Sequence, residues 1–523
     1  MRKYHLWLVK AALAAGIFTA NAAAEPSPNI IFILADDLGY GDVSALNPQN
    51  KIKTPQMDRL VGEGMTFAEA HASSAVCTPS RYSILTGRYN WRSRMKDGVL
   101  GGFSKPLIEP GRLTVAGLLK EQGYSTACVG KWHLGLDWPR QLTPEDTADS
   151  EDTSHIDFTK AIGHGPITVG FDYFFGISAS LDMPPYAFIE NNHVTAQPTI
   201  PKGRLVGADG KATRIGPLVP GFKAEEVLPT LTQKASDYIA HQAESKTPFF
   251  LYLALTAPHT PLAPSKDWVG KSGLNAYADF VMEADDCVGK VLAALKQSGA
   301  ASNTLVILTS DNGCSPAAGF PFLLAHGHDP SAGRRGYKAD IYDGGHRIPL
   351  VVRWPGHIAP GAQCNGFVCL GDFMATCADL LKTRLPDTAG EDSISFLPLL
   401  RGQKEGLRRV LVESSINGSF GLRDGRWKLA LCPDSGGWSY PRPGKDSTEG
   451  WPRFQLFDVA ADPAEKTNVI GEHPDLVQRL GLLMRGYIVD GRSTPGAPQK
   501  NTSVKTWQQI KWLEEFKTNA PAL

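Results

Sequence analysis

The chain is predicted to be an α/β protein, with a large doubly wound mixed sheet sandwiched by helices and a smaller C-terminal α+β subdomain. Three observations predict it. Short, continuous apolar runs recur along the chain, and such runs read as strands buried on both faces. Helical segments lie between them, and strands alternating with helices build a doubly wound sheet. After about residue 403 the texture changes to a hairpin, a short strand and one helix.

The elements follow in order. Residues 29–35 form the first strand, which ends in Asp36-Asp37. Thr54-Pro55 opens a helix to about Gly62, with Thr54 as N-cap and Pro55 in the first helical position. Another helix begins at Cys77, with Pro79 in its first turn, and a third covers 113–121. Residues 125–129 form a strand leading to Gly130-Lys131-Trp132-His133. Residues 249–255 lead to Ala257-Pro258-His259, and 304–308 lead to Ser310-Asp311-Asn312-Gly313. Between these two strands lies a helix at 277–295. The acidic insert 141–159 reads as a solvated loop, and 196–224, rich in Gly and Pro, as a surface loop rimming a site. Residues 421–429 form a hairpin around Asp424-Gly425, 454–458 a strand and 474–490 a helix.

Composition narrows the function. The 523 residues are 42% hydrophobic and 20% charged, with 53 basic and 53 acidic residues. That balance excludes a nucleic-acid binder working by bulk positive charge and argues against disorder. Eight Cys are too few for a disulfide scaffold. Internally, nothing approaches the roughly 20 apolar residues of a membrane span. The first 24 residues carry Arg2, Lys3 and Lys10, then an apolar stretch and Asn21-Ala22-Ala23-Ala24. This is the layout of a signal peptide cleaved near Ala24, with export to the periplasm, the lumen or the medium. The division is therefore 1–24 leader, 25–402 main α/β domain and 403–523 C-terminal α+β subdomain.

In open α/β sheets ligands bind beyond the C-terminal strand ends. Asp36, Asp37, Lys131, His133, His259, Asp311 and Asn312 are thus expected in one crevice. Asp36, Asp37, Asp311 and Asn312 form an all-oxygen set, suited to Ca²⁺ or Mg²⁺ rather than Zn²⁺; the same residues also serve as caps and turns. Cys77 at a helix start has a lowered thiol pKa, and Arg81 at i+4 faces it. A buried structural Cys is the plainer alternative.

Cys77-x-Pro79-Ser80-Arg81 followed by Leu85-Thr86-Gly87 resembles the signature of the formylglycine-dependent sulfatases of the alkaline phosphatase superfamily, arylsulfatase A and bacterial carbohydrate sulfatases among them. The resemblance extends, in order, over most of the chain. It takes in Asp36-Asp37-x-Gly39-x-Gly41-Asp42, Gly130-Lys131-Trp132-His133-Leu134-Gly135, Pro258-His259-Thr260-Pro261, Asp311-Asn312-Gly313, Gly336-Tyr337-Lys338, Arg426-Trp427-Lys428-Leu429 and the run from Leu456 through Glu465 to Asn468. It implies that Cys77 is oxidised by a formylglycine-generating or sulfatase-maturing enzyme to an aldehyde whose hydrate attacks sulfur. It implies one Ca²⁺ on Asp36, Asp37, Asp311 and Asn312, with residue 77 against it. Arg81 would steady the formylglycine, while Lys131, Lys338 and His259 grip sulfate. His259 would protonate the departing alcohol and His133 take the proton of the second hydroxyl.

The substrate implied is a sulfated small molecule or oligosaccharide, with a lean to 6-sulfated galactose or N-acetylgalactosamine. Asp182, Tyr186, Glu190, His326, His328, Arg334 and Arg335 are candidate sugar contacts, with Asp182, His326 and Arg335 chosen among them. The rivals are a phosphonate monoester hydrolase or phosphodiesterase on the same fold, and a non-catalytic sulfated-glycan binder if Cys77 stays unconverted. Converting Cys77 leaves seven other Cys, an odd number; Cys364 and Cys369 are near enough in sequence to bridge.

Overall fold

The computed structural model describes residues 27–140 and 156–516. The leader and most of the acidic insert lie outside these residues. The strands, in chain order, are β1 (Asn29–Ala35), β2 (Met65–His71), β3 (Ser125–Lys131), β4 (Tyr173–Ile177), β5 (Ile189–Glu190), β6 (His193–Val194), β7 (Ile200–Gly203), β8 (Gly216–Leu218), β9 (Phe249–Ala254), β10 (Thr304–Ser310), β11 (Leu350–Arg353), β12 (Ala362–Cys369), β13 (Val410–Ser414), β14 (Phe420–Asp424), β15 (Trp427–Ala430) and β16 (Gln455–Asp458). Ten of them form one mixed sheet of order β12-β2-β11-β10-β1-β9-β3-β4-β5-β6. β1 lies at its centre, parallel to β9 and β10, while β11 runs antiparallel to β10 and β2.

The helices are α1 (Pro55–Glu63), α2 (Cys77–Thr86), α3 (Val115–Glu121), α4 (Val227–Ser245), α5 (Ala276–Gln297), α6 (Phe320–Ala325), α7 (Asp343–His346), α8 (Phe373–Leu380), α9 (Leu397–Leu400) and α10 (Pro474–Val489). β1 shows why the expected run has no polar face. Ile30, Phe32 and Leu34 join one core with Tyr82, Leu85, Leu119 and Phe373, from α2, α3 and α8. Ile31, Ile33 and Ala35 join the other with Met57, Leu231, Phe280 and Val288, from α1, α4 and α5. Alternate residues of a strand point to opposite faces, so a sheet covered on both sides needs apolar residues at every position.

Three local expectations are revised. Thr54 stands at the N-cap of α1, but its hydroxyl bonds Ser44 and Asp58. The free N–H groups of Gln56 and Met57 go instead to the Asp285 carboxylate of α5, at 2.7–3.1 Å; a distant acid does the work of the local cap. The segment 196–224 is not all loop, since β7 and β8 pair as a ribbon within it. The C-terminal hairpin turns one residue later than expected, because Asp424 pairs with Trp427 across Gly425 and Arg426; Gly425 takes the positive φ, +59°.

β13, β14, β15 and β16 form a separate antiparallel sheet. Leu411, Leu422, Leu429 and Leu456 pack on Leu480, Met484 and Ile488 of α10. All eight thiols are free and buried, Cys364 and Cys369 included. No described helix is long and apolar enough to cross a membrane.

Candidate active site

Strand register builds the site. Ala35 of β1 lies beside Ser310 of β10, Leu34 beside Ala254 of β9, and Gly130 of β3 beside Ala254. Four strands therefore release Asp36-Asp37, Lys131-Trp132-His133, His259 and Asp311-Asn312 along one edge, as the pattern of strand ends predicts. Close approach needs glycine at two of these exits. A Cβ on Gly130 would meet the Ala254 carbonyl at 1.8 Å, and one on Gly313 the Gly344 carbonyl at 1.9 Å. Asp37 (φ +66°) and His133 (φ +58°) hold left-handed backbone, a strain tolerated where the surroundings fix a side chain's aim. Helix α2, buried throughout, presents Cys77 from below, and Gly87 ends it in a left-handed turn at φ +62°.

The charged groups are paired throughout. Lys131 Nζ lies 2.7 Å from Asp36 Oδ2. Lys338 Nζ lies 2.8 and 2.9 Å from the two oxygens of Asp37. Arg81 grips Asp311 Oδ2 through Nη2 at 2.8 Å and Nε at 3.0 Å, and donates Nη1–H to the Lys131 carbonyl. Asn312 Nδ2 donates to Asp37 Oδ1 at 2.7 Å, and the Asp37 N–H to Asp311 Oδ1. Arg81 thus ties the strand carrying Lys131 to the acid of β10.

Several of these residues offer places for a cation. Asp36, Asp37 and Asp311 each bring an oxygen within 4.8 Å of the others, and Asp36, Cys77 and His259 form a second such group. Asp36 Oδ1 and Asn312 Oδ1 are buried without hydrogen-bond partners among the described residues. Buried oxygens without donors are the acceptors a hard divalent cation satisfies.

Electrostatics set the protonation states. Burial favours a neutral Asp36, but Lys131, His259, Arg81 and Lys338 hold its carboxyl far below the usual range. Asp311 is pushed up to about 7 by burial and by Asp36, against Arg81. Burial opposes ionisation of the Cys77 thiol, yet Lys131, Lys338 and a hydrogen bond from His259 bring it down to about 6. Burial and Lys338 oppose the charged form of His259, but Asp36 and Asp37 raise it to about 9. His133 goes the other way, well below its ordinary value, through burial and then Lys131 and Arg81. Its Nε2 lies 2.7 Å from the Leu100 carbonyl and must carry the hydrogen. Its Nδ1 lone pair is buried and unpartnered.

The other candidates sit outside this knot of contacts. Asp182 is half-buried, 4.0 Å from Arg214 Nε. Tyr186 gives its hydroxyl to Thr213 and Arg214, and Glu190 pairs with Tyr173 and Lys234. His326 is exposed and stacked on Phe322 at 4.1 Å. His328 is buried between Asp42 and the Lys51 N–H. Arg334 lies over Tyr40, and Arg335 over Tyr342 at 3.7 Å while donating to the Glu465 carbonyl. Two participants were given no role in the sequence reading. Ser180 Oγ lies 3.4 Å from His259 Nε2. Asp42 bonds the Gly39 N–H, the Tyr277 hydroxyl and His328, so it braces the turn after Asp37. Its place in the Asp-Asp-x-Gly-x-Gly-Asp run was the available signal.

Comparison with known proteins gives the chain a family. Residues 28–383 match the family described as Sulfatase. The N-acetylgalactosamine-6-O-sulfatase of Bacteroides thetaiotaomicron is 35% identical over 499 residues, spanning 89% of this chain and 94% of that protein. Arylsulfatase A of Bos taurus is 31% identical, over 89% of this chain and 87% of its own length. A solved 6S-sulfatase structure, from work on the metabolism of multiple glycosaminoglycans by Bacteroides thetaiotaomicron, superposes with a TM-score of 0.74 at 32% identity, covering 88% of this chain and 99% of its own.

Proposed function

The chain belongs to the sulfatase family and is a sulfuric ester hydrolase, and from that premise we propose that it removes O-sulfate from a sulfated sugar by way of a formylglycine made from Cys77. The observation that carries the mechanism is geometric: Cys77, His259 and Asp36 form one buried group beside Asp37 and Asp311, with His133 at the next strand exit. His259 is raised to about 9 and so holds its proton at neutral pH. His133 is kept neutral, with its Nδ1 lone pair free. Titratable groups whose environments push them apart mark the acid and the base.

The hydrated aldehyde of a formylglycine would supply one hydroxyl for attack on sulfur and a second through which sulfate leaves by C–O cleavage. One divalent cation, Ca²⁺ by its oxygen ligands, would be held by Asp36, Asp37, Asp311 and Asn312 against residue 77 and would polarise the sulfate oxygens. The chain's own groups do the rest. Lys131 and Lys338 offer ammonium groups to the sulfate oxygens in a dry site, where fixed charge acts strongly. Arg81 holds Asp311 and the Lys131 carbonyl in register. His259 Nε2 delivers a proton to the departing sugar oxygen as the S–O bond breaks. His133 Nδ1 takes the proton of the remaining hydroxyl.

The sugar assignment rests on the relatives, two of which act on N-acetylgalactosamine 6-sulfate or carry a 6S-sulfatase name. A 6-sulfated galacto-configured sugar is the substrate we favour, with Asp182, His326 and Arg335 as candidate rim contacts. Export by the leader and conversion by a maturing enzyme complete the reading, as does a division into residues 25–402 and 403–523. The test is kcat/KM of converted enzyme on 6-sulfated galactose and N-acetylgalactosamine, their gluco epimers and an aryl sulfate. Turnover of the aryl sulfate with none of the sugars overturns the carbohydrate assignment.

A further inference from the structure

A second cluster of buried charge lies where the two sheets meet, outside the residues that face sulfate. Lys428 of β15 is fully buried. Its Nζ is 3.0 Å from Glu413, 3.1 Å from Asp343 and 3.3 Å from Glu465. These acids come from β13, from the first residue of α7 and from the loop after β16. Glu465 also accepts the Asp343 N–H at 2.7 Å. Glu413 accepts from His71 Nδ1 at 2.8 Å. Arg423 and Arg347 enclose the outer side through Glu69 and Asp343. His71, Asp343 and Glu413 alone are close enough to hold a metal ion, but the ammonium of Lys428 already lies among the acids.

Glu413 and Asp343 each lie within three residues of a backbone bond to a segment that carries a reacting group, and Glu465 is tied in through the Asp343 N–H. Ser414, beside Glu413, accepts the Ala75 N–H at 2.9 Å, two residues before Cys77. Ala75 in turn accepts from Ala339, the neighbour of Lys338, at 2.7 Å, and Ala339 accepts from Ile416. Asp343 leads into Gly345, whose carbonyl takes the Gly313 N–H at 2.9 Å, next to Asn312. Backbone bonds thus tie residues one or two places from Cys77, Lys338 and Asn312 to residues one to three places from Glu413 and Asp343.

We infer that Lys428 is a positioning residue for the sulfatase reaction: its ammonium, shared by Asp343, Glu413 and Glu465, locks the Cys77, Lys338 and Asn312 segments into one geometry. The C-terminal sheet is then a working part of the active site, though it gives no group to the substrate. Removing the lysine leaves buried acids facing one another, so either they take up protons or the segments that carry them move apart. Catalysis is sensitive to such movement, since a shift of about 1 Å can cost 10²-fold in rate.

The test uses full-length converted enzyme and any sulfate ester it turns over, so failure of the sugar assignment leaves it intact. It rests on the formylglycine reading only for counting active sites by mass spectrometry. K428M should lower kcat per converted site about 10- to 100-fold, with KM within about threefold. K428M/E413Q removes the charge that Lys428 balances while leaving an acceptor for His71, and should regain at least tenfold of the lost kcat. Unchanged kcat per site in K428M, with only a lower Tm, overturns the proposal by making Lys428 merely structural. So does a double variant no better than K428M. Should K428M not fold, a folded K428M/E413Q within tenfold of wild-type kcat supports the proposal, and anything less overturns it.

Discussion

At the scale of single residues, function comes down to where protons sit and which oxygens lack partners. His259→Ala removes the acid that the proposed mechanism gives to the leaving oxygen. The loss in kcat should be about 10²–10⁴-fold for a sugar sulfate. For an aryl sulfate whose phenoxide leaves unaided, it should be far smaller. Equal losses on both substrates would remove His259 from the acid role. Cys77→Ser should be nearly inactive, because a serine has one hydroxyl and stalls after accepting sulfate; mass spectrometry of the variant should find that sulfate ester. Asp311→Ala should lose bound metal and activity together. It removes a proposed ligand and leaves Arg81, which grips Asp311 at 2.8 Å, with only Asp36 at 3.5 Å; elemental analysis beside an activity assay checks it. Retention of stoichiometric Ca²⁺ would take Asp311 out of the ligand set.

At the scale of elements, close packing at the strand exits makes small changes expensive. Gly313→Ala places a methyl 1.9 Å from the Gly344 carbonyl. The backbone must move, at about 1–3 kcal/mol, and the lower Tm should come with weaker metal binding because Asn312 is the next residue. The same elements show what sequence could and could not tell. β1, β3, β9 and β10 were legible because a strand covered on both faces leaves a continuous apolar run. The site was legible in turn because its polar residues follow those runs directly. β2 was not, since Met65–His71 mixes Glu69 and His71 with small residues, and its place between β11 and β12 depends on partners some 290 residues away. The capping of α1 by Asp285 was hidden for the same reason. Lys338 entered through family resemblance alone. Ser180 and Asp42 carry no periodic signal, His71 and Glu413 each read singly as an ordinary core or surface residue, and Lys428 entered only as part of a resemblance motif with no role attached.

At the scale of the whole molecule, the two sheets share buried charge, so stability must depend on pH. Burial and the neighbouring Asp343 and Glu413 raise Glu465 to about 7 against the pull of Lys428, from an ordinary 4.5. A carboxyl raised on folding contributes stability that is full below its unfolded value and is lost as pH rises through the folded one. Tm should therefore fall between pH 5 and 8, and Glu465→Gln, which mimics the neutral form, should flatten that fall. A Tm profile identical in the two proteins would place the titration elsewhere.

Cys77 is 2% exposed, sealed by groups as distant in sequence as Lys338, and this burial fixes an order of events. If Cys77 is converted as proposed, the enzyme that oxidises it must reach the thiol, so it would work on a chain that has not yet closed. In a chain made from its N-terminus, Lys338 is added 261 residues after Cys77. At about 5–20 residues per second that interval is roughly 10–50 s. On that proposal, maturation would be a race between modification and closure. A chain that folds early would keep its thiol beneath a finished lattice of contacts, correctly shaped and permanently silent.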